Sequence, residues 1–148
     1  MAPTDRDPIE EHRPVDLIAP DGSIVAGKFL VRELADGPDS VELTLALPDR
    51  RFVAASVDAF EALIQIRREI EPLGMKVLCW GACLHVYPSE MSRSMGIGDS
   101  AYRLTLGQFA RAADRVSIFD SGPGLVAATV AEQEEFPRAW FDSLADLP

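Results

Sequence analysis

The stretch SVELTLAL, residues 40–47, decides the fold class of this chain. Successive side chains of a strand point to opposite faces, so its alternation of aliphatic and small or polar residues predicts a half-buried β-strand. Turn-forming residues bound it at 37–39 and 48–50, which favours antiparallel neighbours. The residues expected on the buried face are Val41, Leu43, Leu45 and Leu47.

Further strand patterns extend from this stretch in both directions. A turn signal at 20–22 predicts a hairpin ahead of it. Segment 76–88 is the most apolar part of the chain and fits one long buried strand or two short strands that turn at Trp80-Gly81; we favour the hairpin. Additional strands are predicted at residues 15–19, 23–34, 51–55, 101–106 and 114–120.

Two helices are predicted from apolar periodicity and capping signals. The first covers about residues 58–73 and begins at Asp58, three residues before a glutamate. The second begins after Thr129, which precedes a glutamate at the same spacing. Pro137 lies eight residues after Thr129 and predicts a kink or the start of a new helix. The apolar stripe of this second helix contains Phe136, Trp140, Phe141 and Leu144.

These patterns together predict an α+β fold: a mainly antiparallel β-sheet of about six to eight strands with two principal helices packed on one face. We expect residues 1–14 to form a flexible N-terminal tail, because they hold three prolines and alternating charges without apolar periodicity. Residues 15–148 then form a single domain, as a chain of 148 residues favours.

The chain carries 24 acidic and 14 basic side chains, a formal net charge of −10 and a pI near 4.6. This balance argues against nucleic-acid binding, because phosphate contacts need a basic surface. The charge is uneven: residues 1–14 carry −2, residues 15–49 carry −5, residues 50–120 carry +1 and residues 121–148 carry −4. A surface for a basic partner is therefore expected on the flanks of the chain.

Membrane, disulfide and metal functions are not indicated. No apolar run approaches the roughly 18–20 residues that span a bilayer, and the N-terminal residues do not resemble a signal peptide. Cys79 and Cys83 cannot make a disulfide framework, which favours a reducing cytoplasm. With His85 they would share one face of a single strand, but a fourth zinc ligand would have to come from His12 in the tail. We predict neither a metal site nor a cofactor.

The loop PSEMSRSMGIGDS at residues 88–100 is the most unusual local sequence. Its glycines permit tight backbone turns, and Arg93 with serine hydroxyls suits a phosphate or a carboxylate. One alternative function is therefore a small enzyme, or a small-molecule or anion-binding protein, with a ligand site at His85, Arg93 and Asp99. Since no combination of nucleophile, base and orienting group is recognisable, we assign no catalytic residue and favour a non-enzymatic function.

Residues 77–104 and 132–144 resemble small acidic bacterial proteins of the polymorphic-toxin immunity type. The shared features are a strand–glycine–strand stretch, a Pro-Ser-x-Met-x-x-x-Met-Gly loop at 88–96 and a terminal acidic-aromatic helix. The resemblance implies a compact α+β protein of the cytoplasm. Such a protein binds a cognate toxin domain and blocks it without catalytic residues of its own.

The leading hypothesis is a non-enzymatic immunity-type inhibitor that occludes a toxin or effector enzyme with an acidic face. Acidic surfaces attract and hold basic protein partners. A further alternative is a homodimeric scaffold protein that pairs strands at an exposed sheet edge. The acidic face is predicted at Glu132, Glu134, Glu135 and Asp142, and a second partner contact at Arg93, Gly96 and Gly98.

Overall fold

The computed structural model describes residues 10–35, 37–145 and 147. These residues form eight β-strands and three α-helices. The strands are β1 Glu10–Ile18, β2 Ile24–Glu33, β3 Val41–Ala46, β4 Arg51–Ser56, β5 Lys76–Leu78, β6 Val86–Tyr87, β7 Ser100–Arg103 and β8 Arg115–Ser117. The helices are α1 Ala59–Ile70, α2 Glu90–Ser94 and α3 Val130–Leu144.

The strands build two sheets in which every pair is antiparallel. The larger sheet has the order β4-β3-β2-β1-β5: the first four strands form a meander, and β5 returns to pair with β1. The smaller sheet has the order β6-β7-β8. The α+β class and the mainly antiparallel pairing are confirmed. The strands divide between two sheets, whereas the sequence predicts one.

The main core lies between the larger sheet and α1. Val41, Leu43 and Leu45 are at most 2% exposed, which confirms the buried face that SVELTLAL predicts. Thr44 on the opposite face is buried as well, so β3 is covered on both faces and not half-buried. α1 packs against β3 and β4 and fully buries Phe60 and Leu63 in this layer. Burial of these large apolar side chains is the main favourable contribution to the stability of the fold.

Both predicted helix starts are confirmed by their capping contacts. The Asp58 carboxylate accepts a hydrogen bond from the Glu61 N–H at 2.7 Å, and Thr129 and Glu132 form a reciprocal capping box. α3 continues through Pro137, so the prediction of a new helix there is wrong. The proline removes one backbone donor, and α3 makes tertiary hydrogen bonds on both sides of it, through Gln133 and Trp140. No helix in the described part of the chain is long and apolar enough to cross a membrane.

β1 begins at Glu10, so the predicted tail extends too far, by residues 10–14. These residues pair with β2 in an antiparallel register whose first pair is Glu10 with Arg32. Their side chains are mostly exposed, and the apolar alternation that marks a half-buried strand is therefore missing from this part of the sequence. Residues 1–9 of the predicted tail lie outside the described residues.

Segment 76–88 forms neither one long strand nor the hairpin that the sequence favours. β5 pairs with β1 in the larger sheet, a 3₁₀ turn covers Trp80–Ala82, and β6 pairs with β7 in the smaller sheet. The chain changes sheet here because the N–H groups of Trp80 and Gly81 donate to carbonyls in segment 118–120, at 2.7 and 2.9 Å. Those acceptors are distant in sequence, so no local pattern reveals them.

α2 lies inside segment 88–100, for which the sequence predicts only a loop. The Ser89 hydroxyl caps it by accepting a hydrogen bond from the Ser92 N–H at 3.0 Å. The helix has five residues, which is too short for apolar periodicity to mark it. It carries Arg93 to the start of α1.

Candidate functional site

α3 is attached to the fold mainly through its N-terminal half. Residues 130–144 are all described, and two of them are buried, Val130 and Gln133. The amide nitrogen of Gln133 lies 2.8–3.0 Å from three backbone carbonyl oxygens in segment 81–86. A polar side chain therefore anchors α3 where an apolar stripe would normally do so.

Arg67 of α1 completes this anchor. The residue is 1% exposed, and its guanidinium donates to the amide oxygen of Gln133 and to the carbonyls of Ala128 (2.9 Å) and Gly81 (3.3 Å). Burial lowers the pKa of Arg67, because the charged form is removed from water. A buried cation needs such acceptors, so Arg67 and Gln133 specify how α3 sits on α1.

The C-terminal half of α3 is held by hydrogen bonds to a neighbouring loop, residues 105–110. The indole nitrogen of Trp140 donates to the Gln108 carbonyl at 2.9 Å, and the Gly107 N–H donates to the Ser143 hydroxyl at 2.8 Å. These contacts support the helix at its outer end. The space between the helix and the smaller sheet is left open.

That space is a groove with a volume of about 1020 Å³. Side chains of β6 and β7 form its floor, α3 forms one wall, and the start of α2 forms the other. Most lining groups are apolar or aromatic, as in protein sites that bind ligands or peptides. The lining residues are Tyr87, Pro88, Met91, Tyr102, Leu104, Ala110, Ala112, Pro137, Trp140 and Phe141, with the polar Ser89, Glu90 and Arg111.

The rim of the groove exposes large apolar side chains. Met91 is 71% exposed on the α2 side, and Phe141 is 70% exposed on the α3 side. Leu106 and Phe109 of the adjoining loop are also exposed. Scattered exposed apolar residues are ordinary, but a cluster of them beside an apolar groove is typical of interaction sites and makes this surface a candidate.

The predicted acidic face lies on the other side of α3. Glu134, Glu135 and Asp142 line one shallow depression together with Arg138. Glu132 does not join them there: its carboxylate accepts the Thr129 N–H at 2.8 Å in the capping box. Hydrogen bonds from the backbone and side chain of Thr129 lower the pKa of Glu132.

The predicted second contact, at Arg93, is a brace inside the fold. The Arg93 guanidinium donates to Asp58 at 3.1 Å and to Glu61 at 3.2 Å, and it lies over the Phe60 ring. Burial opposes the charged form, but these two carboxylates outweigh it and raise the pKa of Arg93. The charge of Arg93 is therefore paired within the fold through Nε and Nη2, which weakens the case for a free anion site there.

The two glycines of this segment differ in their surroundings. Gly98 has φ +73°, and a Cβ there would lie 2.6 Å from the Asp58 Cβ and 2.9 Å from the Arg93 carbonyl oxygen. Gly96 has φ +57° and faces open space. Gly98 therefore lets the chain after α2 pack against the start of α1. Gly96 is required only for the positive φ of the turn.

The alternative ligand site is not brought together among the described residues. The His85 ring contacts the Cys83 sulfur at 3.5 Å and the Phe136 ring, and burial lowers the pKa of His85. Arg93 is held at the start of α1, and within the described part of the chain no hydrogen bond or ion pair joins Asp99 to Arg93 or to His85. The pattern His85, Arg93 and Asp99 therefore does not form one site here.

No group of three potential metal-binding side chains is found in the described ranges. Cys79 and Cys83 are buried free thiols, and burial raises the pKa of Cys79 to about 12. His12 lies on β1 and its ring is 3.5 Å from the Glu10 carboxylate. A zinc site would need Cys79, Cys83 and His85 to lie on one face of a single strand. They do not, because a 3₁₀ turn separates the two cysteines.

Comparison with protein-family models and with curated proteins finds no match to this chain.

Sequence reasoning missed the groove. Tyr87 and Tyr102 are cross-strand partners on β6 and β7, a pairing that depends on long-range register. Met91 reaches the rim because α2 interrupts the predicted loop. The sequence did contain one local signal for the groove. Pro137 and Trp140 lie three residues apart on α3 and therefore share the helix face that forms one wall of the groove.

Proposed function

We propose that this chain is a non-enzymatic protein-binding domain of the immunity type, which occludes a toxin or effector enzyme with the surface around α3. The observation that carries the proposal is the two-sided character of the helix. Its outer part borders an apolar groove on one side, and on the other Glu134, Glu135 and Asp142 line an acidic depression.

This combination matches the anatomy of protein interfaces. Interfaces have a desolvated core rich in aromatic residues and methionine, and a polar rim that steers the partner and sets its orientation. Here the apolar core would consist of Met91, Trp140 and Phe141, and the polar rim would be the acidic depression. A net charge of −10 favours a basic partner, such as an enzyme with a basic active-site cleft.

The test uses the toxin or effector domain encoded by the neighbouring gene. The variant reverses three charges together: Glu134→Lys, Glu135→Lys and Asp142→Lys. A matched control reverses three exposed acids elsewhere, Glu33, Asp39 and Glu69, so both proteins have the same net charge. Affinities are measured by calorimetry at about 50 mM and about 500 mM NaCl, where screening of exposed charges differs strongly.

We expect the α3 variant to bind at least about tenfold more weakly than the control and to lose most of the salt dependence. Equal affinities for the two variants would contradict the acidic-face mechanism. A neighbouring gene that encodes neither a toxin nor an effector would contradict the immunity function itself.

A second candidate, a homodimeric scaffold, is favoured by the outer edge of β4. Within the described residues this strand pairs on one side only, with β3, and Val53 on it is 54% exposed. Unpaired strand edges are common sites of strand addition. Light scattering after size-exclusion chromatography tests this candidate, and a strict monomer at high concentration would exclude it.

A further inference from the structure

We propose that the groove beside α3 receives an amphipathic α-helix of the partner, with its apolar face in the groove and basic residues on its outer face. This inference rests on the proposed protein-binding function and names the element of the partner that is recognised.

The floor of the groove favours a helix over an extended segment. β7 is paired on both sides, with β6 and with β8, so it offers no edge to an added strand. On β6, the Val86 carbonyl already accepts a hydrogen bond from Gln133 at 2.8 Å. A segment that enters this apolar space must satisfy its own backbone groups, and an α-helix does so internally.

The size of the groove favours several side chains over one small molecule. Its volume of about 1020 Å³ lies just above the range of about 300–1,000 Å³ for small-molecule clefts. Met91 and Phe141 of its lining are 71% and 70% exposed, so the groove is accessible from solvent. Helix-in-groove complexes use several apolar anchors three and four residues apart, which together can fill a space of this volume.

The chemistry of the rims predicts how the helix is recognised. Methionine side chains adapt their shape to different apolar partners, and aromatic side chains provide rigid anchors. Met91 and Trp140 supply one group of each kind on opposite walls. The groove thus accepts leucine-, isoleucine- or phenylalanine-type anchors and selects their spacing more than their identity.

The charges around the groove are predominantly acidic. On a helix that advances about 100° per residue, Glu134 lies beside Phe141 at the edge of the stripe that lines the groove, whereas Asp142 lies on the far side of the helix. Glu90 lies in the lining on the α2 side, and Arg111 is the basic residue of the lining. A bound helix with lysine or arginine on its exposed face would meet acids on both walls, which provides the charge complementarity.

The experiment uses an 18-residue peptide of leucine and lysine with leucines at helical spacing. One control peptide has the same composition with leucine and lysine alternating, which suits a strand. A second replaces every lysine with glutamate. Trp140 lines the groove, so its fluorescence reports whether a peptide is bound. The buried Trp80 also fluoresces, and the Trp140→Phe variant measures that background separately.

Phe141→Asp and Met91→Asp each place a carboxylate where the apolar face of the bound helix would pack. Ile24→Asp, at a residue 57% exposed on β2, makes the same chemical change outside the groove lining. We expect the helical basic peptide to bind at least tenfold more tightly than either control peptide. We also expect both groove variants to weaken it at least tenfold, with Ile24→Asp unchanged.

Equal binding of the two leucine–lysine peptides, or equal binding by Phe141→Asp and Ile24→Asp, would overturn the inference. The outcome is separable from that of the proposed function. If the toxin domain binds and Phe141→Asp does not weaken it, the function stands and the groove inference is wrong. If the helical peptide binds and the toxin domain does not, the groove inference stands and the immunity function is wrong.

Discussion

The guanidinium of Arg67 on α1 donates a hydrogen bond to the amide oxygen of Gln133 on α3, and each residue is 1% exposed. The Gln133 amide nitrogen in turn reaches three backbone carbonyls of segment 81–86. One buried polar pair thus connects the core helix, the turn between the two sheets and the helix that borders the groove. The position of the candidate binding surface depends on this pair.

The first prediction concerns Arg67 directly. Arg67→Leu leaves the Ala128 carbonyl and the Gln133 amide oxygen buried without their donor, and we expect a loss of about 3 kcal/mol in the free energy of unfolding. Arg68→Leu is the matched control. Arg68 is exposed and pairs with Glu134 at 3.5 Å, so its loss should cost at most about 1 kcal/mol. Urea denaturation measures both, and similar losses would contradict the assigned role of Arg67.

The second prediction concerns Gly98 and Gly96, which both have positive φ. Gly96→Ala meets open space and should cost only the left-handed strain, about 1 kcal/mol. Gly98→Ala adds a close approach to Asp58 and to the Arg93 carbonyl, so we expect a total of about 3 kcal/mol. Urea denaturation compares the two variants. Equal costs would show that the chain after α2 does not pack against the start of α1.

The third prediction is a dependence of stability on pH from His85. Burial, followed by the nearby charge of Arg103, lowers the pKa of His85 in the folded state. Below about pH 6.5 the unfolded chain therefore binds a proton that the folded chain does not. The free energy of unfolding should fall as the pH drops through this region, and His85→Gln should show a shallower fall.

Denaturant titrations at several pH values between about 7 and about 5 measure this difference. The sign follows from the direction of the shift: a histidine with a depressed pKa contributes full stability only where it is neutral in both states. A steeper fall for His85→Gln than for the natural chain would refute the assignment.

The fourth prediction concerns the two thiols. Burial raises the pKa of Cys79 to about 12, and Cys83 is 0% exposed. Because the thiolate is the reactive form, neither cysteine should react with a disulfide reagent in the folded protein. Both should react after unfolding in urea. Rapid modification of one equivalent of thiol in the folded protein would contradict the packing of segment 79–83.

The local signals in the sequence are of two kinds, periodicity and capping, and both succeed. The alternation in 40–47 predicts β3, and Asp58 and Thr129 predict the starts of α1 and α3, because each signal involves residues within one turn or one strand. Among the errors are the start of β1 and the path of segment 76–88. Both depend on which distant strand supplies hydrogen bonds, and periodicity carries no information about that choice.

The candidate site shows the same division. The acids Glu134, Glu135 and Asp142 occur on one helix, so their shared depression follows from helical geometry. Arg93 could not be assigned correctly from its loop, because its partners Asp58 and Glu61 are more than thirty residues away in sequence. The residues next to an arginine in sequence do not show whether a distant carboxylate pairs with it in the folded protein.

The amino-acid sequence by itself determined the α+β class, the decisive strand, the two main helices and an acidic terminal helix. Those properties depend on backbone geometry and on the chemistry of neighbouring residues. Only the tertiary structure decided that the strands form two sheets, that Arg67 and Gln133 meet in the core, and that a groove opens between α3 and the smaller sheet. These features arise where distant segments pack together, and a space between packed elements is a property of their arrangement.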